Sequence, residues 1–157
     1  VLNEIGIVDV DFLKKFTNAP YLVGPEGYFV RSRAENKALL WDPVEEKAKA
    51  FDDPTIQDFA LEGAYTVEGV ACRPVFQVMK EHFLKFTPEW AEGITEIPAA
   101  TIRRIGREWV DNAKIGSVID VGGVTLPYRP VAAKIGRGLT GNMRSYQSIL
   151  CEHILAA

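Results

Sequence analysis

The chain has 157 residues, of which 47% are hydrophobic and 25% are charged. This length and composition fit a folded domain with a buried core, and they exclude a disordered chain. No apolar run reaches the length of a membrane-spanning helix. The two cysteines, Cys72 and Cys151, lie far apart, which argues against a disulfide framework and against a zinc ribbon.

The net charge of −3 is unevenly distributed. Residues 1–97 carry ten basic and seventeen acidic side chains, whereas residues 98–157 carry eight basic and four acidic ones. We interpret Arg103, Arg104 and Arg107 as the solvated face of a helix. Arg137 and Arg144 lie in a glycine-rich segment instead, and they are better suited to meet an anionic ligand. No basic stripe is interleaved with aromatic residues, so nucleic-acid binding is not predicted.

Residues 1–73 are predicted to form a hairpin-rich half. A short helix over 9–17, with Asp9 as its N-cap, comes first. The predicted strands are 21–23 paired with 28–31, then 38–41, and then 60–62 paired with 65–67.

Residues 74–157 are predicted to form a helix-rich half, because the apolar period becomes helical at Pro74. Pro88 and Pro98 each mark the start of a helix, and a last helix begins near Ser145. One isolated strand is expected near 118–121. The predicted fold class is therefore α+β over a single segment 1–157, and the alternative is an α/β slice of a larger parallel sheet.

Residues 136–141 match the pattern GxGxxG. A dinucleotide-binding fold of the Rossmann type needs a strand before this pattern and an acidic residue about twenty positions after it. The preceding residues, 131–135, read as helix, so this fold is not predicted. A glycine-rich loop in which Arg137 approaches a phosphate or a pterin, and an ordinary turn between helices, both stay open.

The remaining polar residues do not form a catalytic set. We interpret the neighbouring acids Glu45-Glu46 and Asp52-Asp53 as solvated caps of turns, with nothing to place them around a shared site. His82 and His153 are interpreted as ordinary helical residues, because their spacing from the cysteines fits no standard metal site.

Four parts of the chain, in this order, resemble one enzyme family. They are residues 12–23 (FLKKFTNAPYLV), 40–43 (LWDP), 87–91 with 97–105 (TPEWA and IPAATIRRI), and 138–144 (GLTGNMR). The chain thereby resembles the molybdopterin oxidoreductases of the dimethyl-sulfoxide-reductase family, and the resemblance extends over nearly its whole length.

The resemblance implies an internal fragment of a catalytic subunit. Such a protein holds molybdenum or tungsten between two molybdopterin guanine dinucleotides and transfers an oxygen atom or an electron pair, with iron–sulfur clusters carrying electrons. The family's cysteine cluster, metal-ligating side chain and C-terminal cofactor-binding domain have no match in these residues. No catalytic residue and no metal ligand is therefore predicted, and the isolated chain is expected to be inactive.

The resemblance also implies partners. These are the remaining domains of the parent subunit, together with an iron–sulfur electron-transfer subunit, with no nucleic acid and no direct membrane span. The compartment, periplasmic or cytoplasmic in a prokaryote, stays open.

The site residues that the resemblance implies lie in the late glycine-containing loop. Arg137, Gly138, Asn142 and Arg144 are expected near the pterin or the substrate funnel. Gly138 and Arg144 match the family, whereas Asn142 and Ser145 replace a histidine and a glycine found in several members. A guanidinium can donate several hydrogen bonds to pterin carbonyls or phosphates. The replacements leave the substrate open, and we place the chain nearer to the enzymes of sulfur compounds than to formate dehydrogenases.

A self-contained α+β binding or interaction module is the alternative function. Such a module would terminate its last helix and bury its own apolar faces, whereas a slice of a larger protein would expose them. The helix from Tyr146 to Ala157 has no residue that ends it, and the chain starts abruptly. Both features favour the slice.

Overall fold

The computed structural model describes residues 2–134, 141, 143 and 145–156. These residues belong to two compact units, which we name the hairpin unit (residues 10–87) and the helix unit (residues 1–9 and 88–157). This division differs from the predicted halves 1–73 and 74–157, which concerned the type of element rather than compactness.

The described elements follow one another in this order: α1 (Leu2–Ile5), α2 (Val10–Phe16), β1 (Leu22–Val23), β2 (Leu39–Asp42), β3 (Lys47–Ala50), β4 (Tyr65–Val67), β5 (Val70–Pro74), α3 (Val75–Phe83), α4 (Pro88–Thr95), α5 (Ala99–Ala113), β6 (Val118–Val121), β7 (Val124–Pro127) and α6 (Ser145–Ala156). They form small sheets in the orders β1-β5-β4, β2-β3 and β6-β7. Every strand pair among them is antiparallel. The predicted α+β class is confirmed, and no parallel pair supports the α/β alternative within the described residues.

The predicted pairing of 21–23 with 28–31 is present. Val23 bridges Phe29, and the Val30 N–H donates to the Leu22 carbonyl over 2.9 Å. Gly27 has φ +81°, which suits a glycine in the connecting turn.

The predicted pairing of 60–62 with 65–67 is wrong. Strand β4 pairs with β5 instead, with Val67 opposite Val70. The two residues between them, Glu68 and Gly69, have φ values of 51° and 83°. A two-residue turn with both φ positive matches the twist of paired strands, so it closes this hairpin. The Ala60 N–H instead donates to the Trp41 carbonyl over 3.0 Å.

The core of the hairpin unit lies between its two sheets. Leu22, Leu39, Val67 and Cys72 are buried in contact with one another. Trp41 packs against this cluster together with Tyr65, and the two rings are stacked with centroids 4.4 Å apart. The core thus joins β1 and β5 to the β2–β3 hairpin.

The helices begin where the prolines predict. Pro74 and Pro98 immediately precede α3 and α5, and Pro88 is the first residue of α4. The first free N–H of α5, that of Ala99, donates to the Glu92 carboxylate over 3.1 Å, so a side chain of α4 caps α5. Lys114 ends α5 in the left-handed conformation.

The prediction of an isolated strand near 118–121 is wrong, because β6 has a partner. Val121 lies opposite Val124 in an antiparallel pair with β7. Gly122 and Gly123 have φ values of 63° and 83°, so they form the two-residue turn that Gly-Gly favours in hairpins.

Candidate functional site

The four residues predicted to contact the cofactor, Arg137, Gly138, Asn142 and Arg144, lie outside the described residues. Their role stays a prediction. The expected helix over 131–135 is wrong for residues 131–134, which form neither helix nor strand. A physical reason is that no Ser, Thr, Asn or Asp stands just before residue 131 to cap a helix.

Arg103 on α5 is neutralised by carboxylates of its own unit. Its Nε and Nη2 each donate to Glu4 over 2.8 Å, and its Nη1 donates to Glu89 over 2.6 Å. The hydrogen bond to Glu4, followed by that to Glu89, raises the pKa of Arg103 above its already high value. The neighbouring Arg104 pairs with Glu108 over 2.7 Å. These contacts agree with the predicted solvated helix face.

Arg129 is also paired. Its Nη2 donates to the Asp9 carboxylate over 2.5 Å, and that carboxylate is 10% exposed. None of Arg103, Arg104 and Arg129 is therefore set up as an open anion-binding group.

A buried charge pair occupies the β2–β3 hairpin. Lys49 on β3 donates to Asp42 on β2 over 2.9 Å, and the two side chains are 2% and 0% exposed. The same ammonium donates to Glu45 and to the Thr55 carbonyl, each over 2.7 Å. All three donor positions of the lysine are therefore used.

Asp42 accepts backbone hydrogen bonds as well. The Gln57 N–H donates to its Oδ2 and the Val44 N–H to its Oδ1, each over 3.0 Å. Burial alone would raise the pKa of Asp42, but the bonds from Gln57, Lys49 and Val44 outweigh it and hold the pKa well below its usual range. Burial likewise works to lower the pKa of Lys49, but Glu45 and Asp42 keep it above its usual value. Both groups are charged at neutral pH.

The interpretation of Glu45 as only a solvated cap is wrong. Hydrogen bonds from Lys47, Lys49 and Gln57 lower its pKa to about 2. We name Asp42, Glu45, Lys49 and Gln57 the Lys49 network. Because its described groups are all hydrogen-bonded and its lysine stays protonated, the network offers neither a general base nor a nucleophile. It ties the segment after β3 to the β2–β3 hairpin.

An open concavity of about 590 Å³ lies beside this network, between residues 32–37 and 47–54. Lys37 on its wall pairs with Asp52 over 2.8 Å and with Glu35 over 2.9 Å. The Asp52 bond, then the Glu35 bond, raises the pKa of Lys37 above its usual value. Since its lysines already have carboxylate partners, the concavity does not present free positive charge to an anion.

The cysteines and histidines form no metal-binding group in the described part of the chain. The Cys72 thiol is buried and donates to the Tyr65 carbonyl, with Sγ and the oxygen 3.6 Å apart, and burial raises its pKa. His82 contacts the rings of Phe83 and Phe86. Among the residues that the structure describes, no three histidine, cysteine or acidic side chains are grouped to hold a metal ion. None of the described helices is long and apolar enough to cross a membrane.

Four basic side chains of the described residues are already paired and are not open donors for the cofactor that the resemblance implies. A bound pterin dinucleotide needs donors for its carbonyls and phosphates. Basic side chains such as Lys37, Lys49, Arg103 and Arg129 donate to protein carboxylates instead.

The Lys49 network was missed by sequence reasoning. Its members are separated by up to 15 positions, and only the register that pairs Trp41 with Ala48 brings Asp42 and Lys49 together. One signal was available in the alternation of lysine and alanine over residues 47–50, which is typical of a half-buried strand, since a lysine on such a strand needs an acidic partner.

Known proteins similar to this chain include two oxidoreductase subunits, and no protein-family model matches it. The A subunit of the sulfite dehydrogenase of Allochromatium vinosum is 32% identical over an alignment of 173 positions, which covers 96% of this chain and 18% of that protein. The alpha subunit of the chlorate reductase of Ideonella dechloratans is 26% identical over an alignment of 127 positions, which covers 70% of this chain and 14% of that protein. The chain thus spans less than a fifth of the length of the curated relatives it matches.

Proposed function

We propose that this chain is a segment of the catalytic subunit of a molybdopterin oxidoreductase. The observation that supports it best is the similarity to the Allochromatium vinosum sulfite dehydrogenase, which extends over 96% of the chain. The similarity to the Ideonella dechloratans chlorate reductase adds a second oxidoreductase. Both agree with the family resemblance of residues 12–23, 40–43 and 87–105.

The proposed reaction is the transfer of an oxygen atom coupled to an electron pair. Sulfite dehydrogenation to sulfate adds one oxygen from water and releases two electrons and two protons. Chlorate reduction to chlorite removes one oxygen as water and consumes two electrons and two protons. The two relatives named for these substrates therefore support a small oxyanion of sulfur or chlorine as the substrate class.

The proposed cofactor is molybdenum or tungsten held by molybdopterin guanine dinucleotide, which when bound supplies the two-electron redox centre. Arg137 and Arg144 are the proposed donors of hydrogen bonds to the pterin or its phosphates. Gly138 would let the backbone approach the group closely, and Asn142 would add an amide. The metal-binding side chain and an iron–sulfur cluster are assigned to parts of the subunit outside these residues, and an iron–sulfur subunit is the proposed electron partner.

The test begins with the complete subunit that the gene encodes. We expect the purified protein to contain molybdenum or tungsten and pterin, and to oxidise sulfite with an artificial electron acceptor. Arg144→Gln should lower the pterin content, whereas the matched control Arg104→Gln, on an exposed helix face, should not. An open reading frame limited to these 157 residues, with no metal in the product, would favour the self-contained binding module.

A further inference from the structure

The β6–β7 hairpin has one purely aliphatic face. Residues opposite each other in an antiparallel pair point to the same side of a sheet. Ile119 lies opposite Leu126, and Val121 lies opposite Val124. We name these four residues the aliphatic face.

The opposite face of the hairpin has a different character. It carries Asp120 opposite Thr125 and Val118 opposite Pro127. The Asp120 carboxylate accepts a hydrogen bond from the Gly123 N–H over 3.0 Å, which fastens the turn. Only the aliphatic face is therefore without a polar group.

The aliphatic face is open to solvent in this chain. Ile119 is 43% exposed, Val121 56%, Val124 58% and Leu126 45%. A hairpin of two strands is marginally stable in water unless a further strand or helix packs on it. A contiguous exposed apolar patch marks a surface that another protein segment covers.

We propose that the aliphatic face is an internal docking surface, covered by an apolar part of the same subunit that lies outside these 157 residues. This inference rests on the proposed function. It is supported by the length of the relative, since the part that matches this chain is only 18% of the sulfite dehydrogenase protein. A covalently linked segment has an effective concentration in the millimolar range, so it competes strongly against a second copy or a separate partner. The lack of charge on the face requires an occupant that is itself apolar.

The test compares hydrogen exchange of residues 118–127 between the complete subunit and the 157-residue chain. We expect exchange at least about tenfold slower in the complete subunit, at every protein concentration and without any partner subunit. Equal rates in the two proteins would overturn the proposal. Protection that grows with the concentration of the short chain would assign the face to a second copy, and protection only after a partner binds would assign it to that partner; either result overturns it.

Two substitutions on neighbouring residues of β7 provide the matched comparison. In the complete subunit, Leu126→Lys should lower the thermal midpoint by several degrees, whereas Thr125→Lys, opposite Asp120, should leave it unchanged. Equal shifts would contradict the assignment to one face. If Leu126→Lys prevents folding, the exchange rates of the unmodified protein still decide. Metal and pterin contents measured on the same samples separate the two ideas, because a loaded protein with an unprotected hairpin refutes only the docking surface.

Discussion

Replacing Lys49 by methionine tests the Lys49 network. The change keeps the length of the side chain but removes its charge and three hydrogen bonds, to Asp42, Glu45 and Thr55. The carboxylate of Asp42, which is 0% exposed, then stays in the interior without its cation. Removing one partner of a buried ion pair is strongly destabilising because the remaining charge is uncompensated.

The expected fall in melting temperature follows from the cost of an unpaired buried charge and the unfolding entropy per residue. For cooperative unfolding of all 157 residues, the loss of one partner corresponds to a fall in melting temperature of roughly 10–15 °C. If the hairpin unit unfolds alone, the smaller entropy makes the fall roughly 20–30 °C. Far-ultraviolet circular dichroism would follow the thermal unfolding of the whole chain. The near-ultraviolet signal would include Trp41, which lies on the same strand as Asp42, and would therefore report on the hairpin unit.

Lys47→Met is the matched control for this prediction. Lys47 lies two positions away on β3 and also contacts Glu45, but its side chain is 58% exposed. An exposed ion pair contributes little, so the melting temperature should fall by less than about 3 °C if the whole chain unfolds together and by less than about 6 °C if the hairpin unit unfolds alone. Similar shifts for the two lysines, or no shift for Lys49→Met, would refute a structural role of the buried pair.

The pH dependence of the same comparison has a definite sign. The folded pKa of Asp42 is lowered, so its stabilisation is present above the unfolded value of about 3.9 and is lost as pH falls through the folded value. The folded pKa of Lys49 is raised, so its stabilisation is complete below about 10.4 and is lost as pH rises through the folded value. The difference between the wild type and Lys49→Met should therefore be constant near neutral pH and shrink at both extremes.

Three further outcomes are expected. Leu40→Ala, at a side chain that is 1% exposed, should lower the free energy of unfolding by about 2–5 kcal/mol in urea titrations. Gly63→Ala should be destabilising, because φ is +131° and the new Cβ would clash with the Tyr65 side chain at its hydroxyl oxygen. The displaced Tyr65 ring should alter the near-ultraviolet circular dichroism, and an unchanged spectrum would contradict this prediction. In the folded chain a thiol reagent should label the exposed Cys151 quickly and the buried Cys72 only on unfolding, and equal labelling rates would disprove this.

Helix positions could be predicted from the sequence because their signals are local. Pro74, Pro88 and Pro98 each fix the start of a helix within one residue of the position that the structure has. Strand partners were harder to predict, since the sequence pattern allows Tyr65–Val67 to pair either with the residues before it or with those after it. The deciding feature was the turn, and both Glu68-Gly69 and Gly122-Gly123 could have been read as two-residue hairpin loops.

The polar contacts could not be predicted in the same way. Glu45 and Asp52 each look like acids in solvated turns, and only the folded hairpin brings them to Lys49 and Lys37. The sequence shows which charged residues are present, whereas the strand register and the path of the loops determine which lysine pairs with which carboxylate. The predicted cofactor loop rests on resemblance alone and awaits the test on Arg144.

The distribution of buried residues connects stability with the proposed parent subunit. In the described part of the chain, the hairpin unit buries large side chains such as Leu22 and Leu40, whereas the buried hydrophobic residues of α5 are only Ala99 and Val110. A small core supplies little stability of its own. The helix unit also carries the exposed aliphatic face of β6–β7. Burial of the aliphatic face would add the buried apolar area that the small core of the helix unit lacks. The unit with the smaller core is therefore also the one that carries the proposed docking surface.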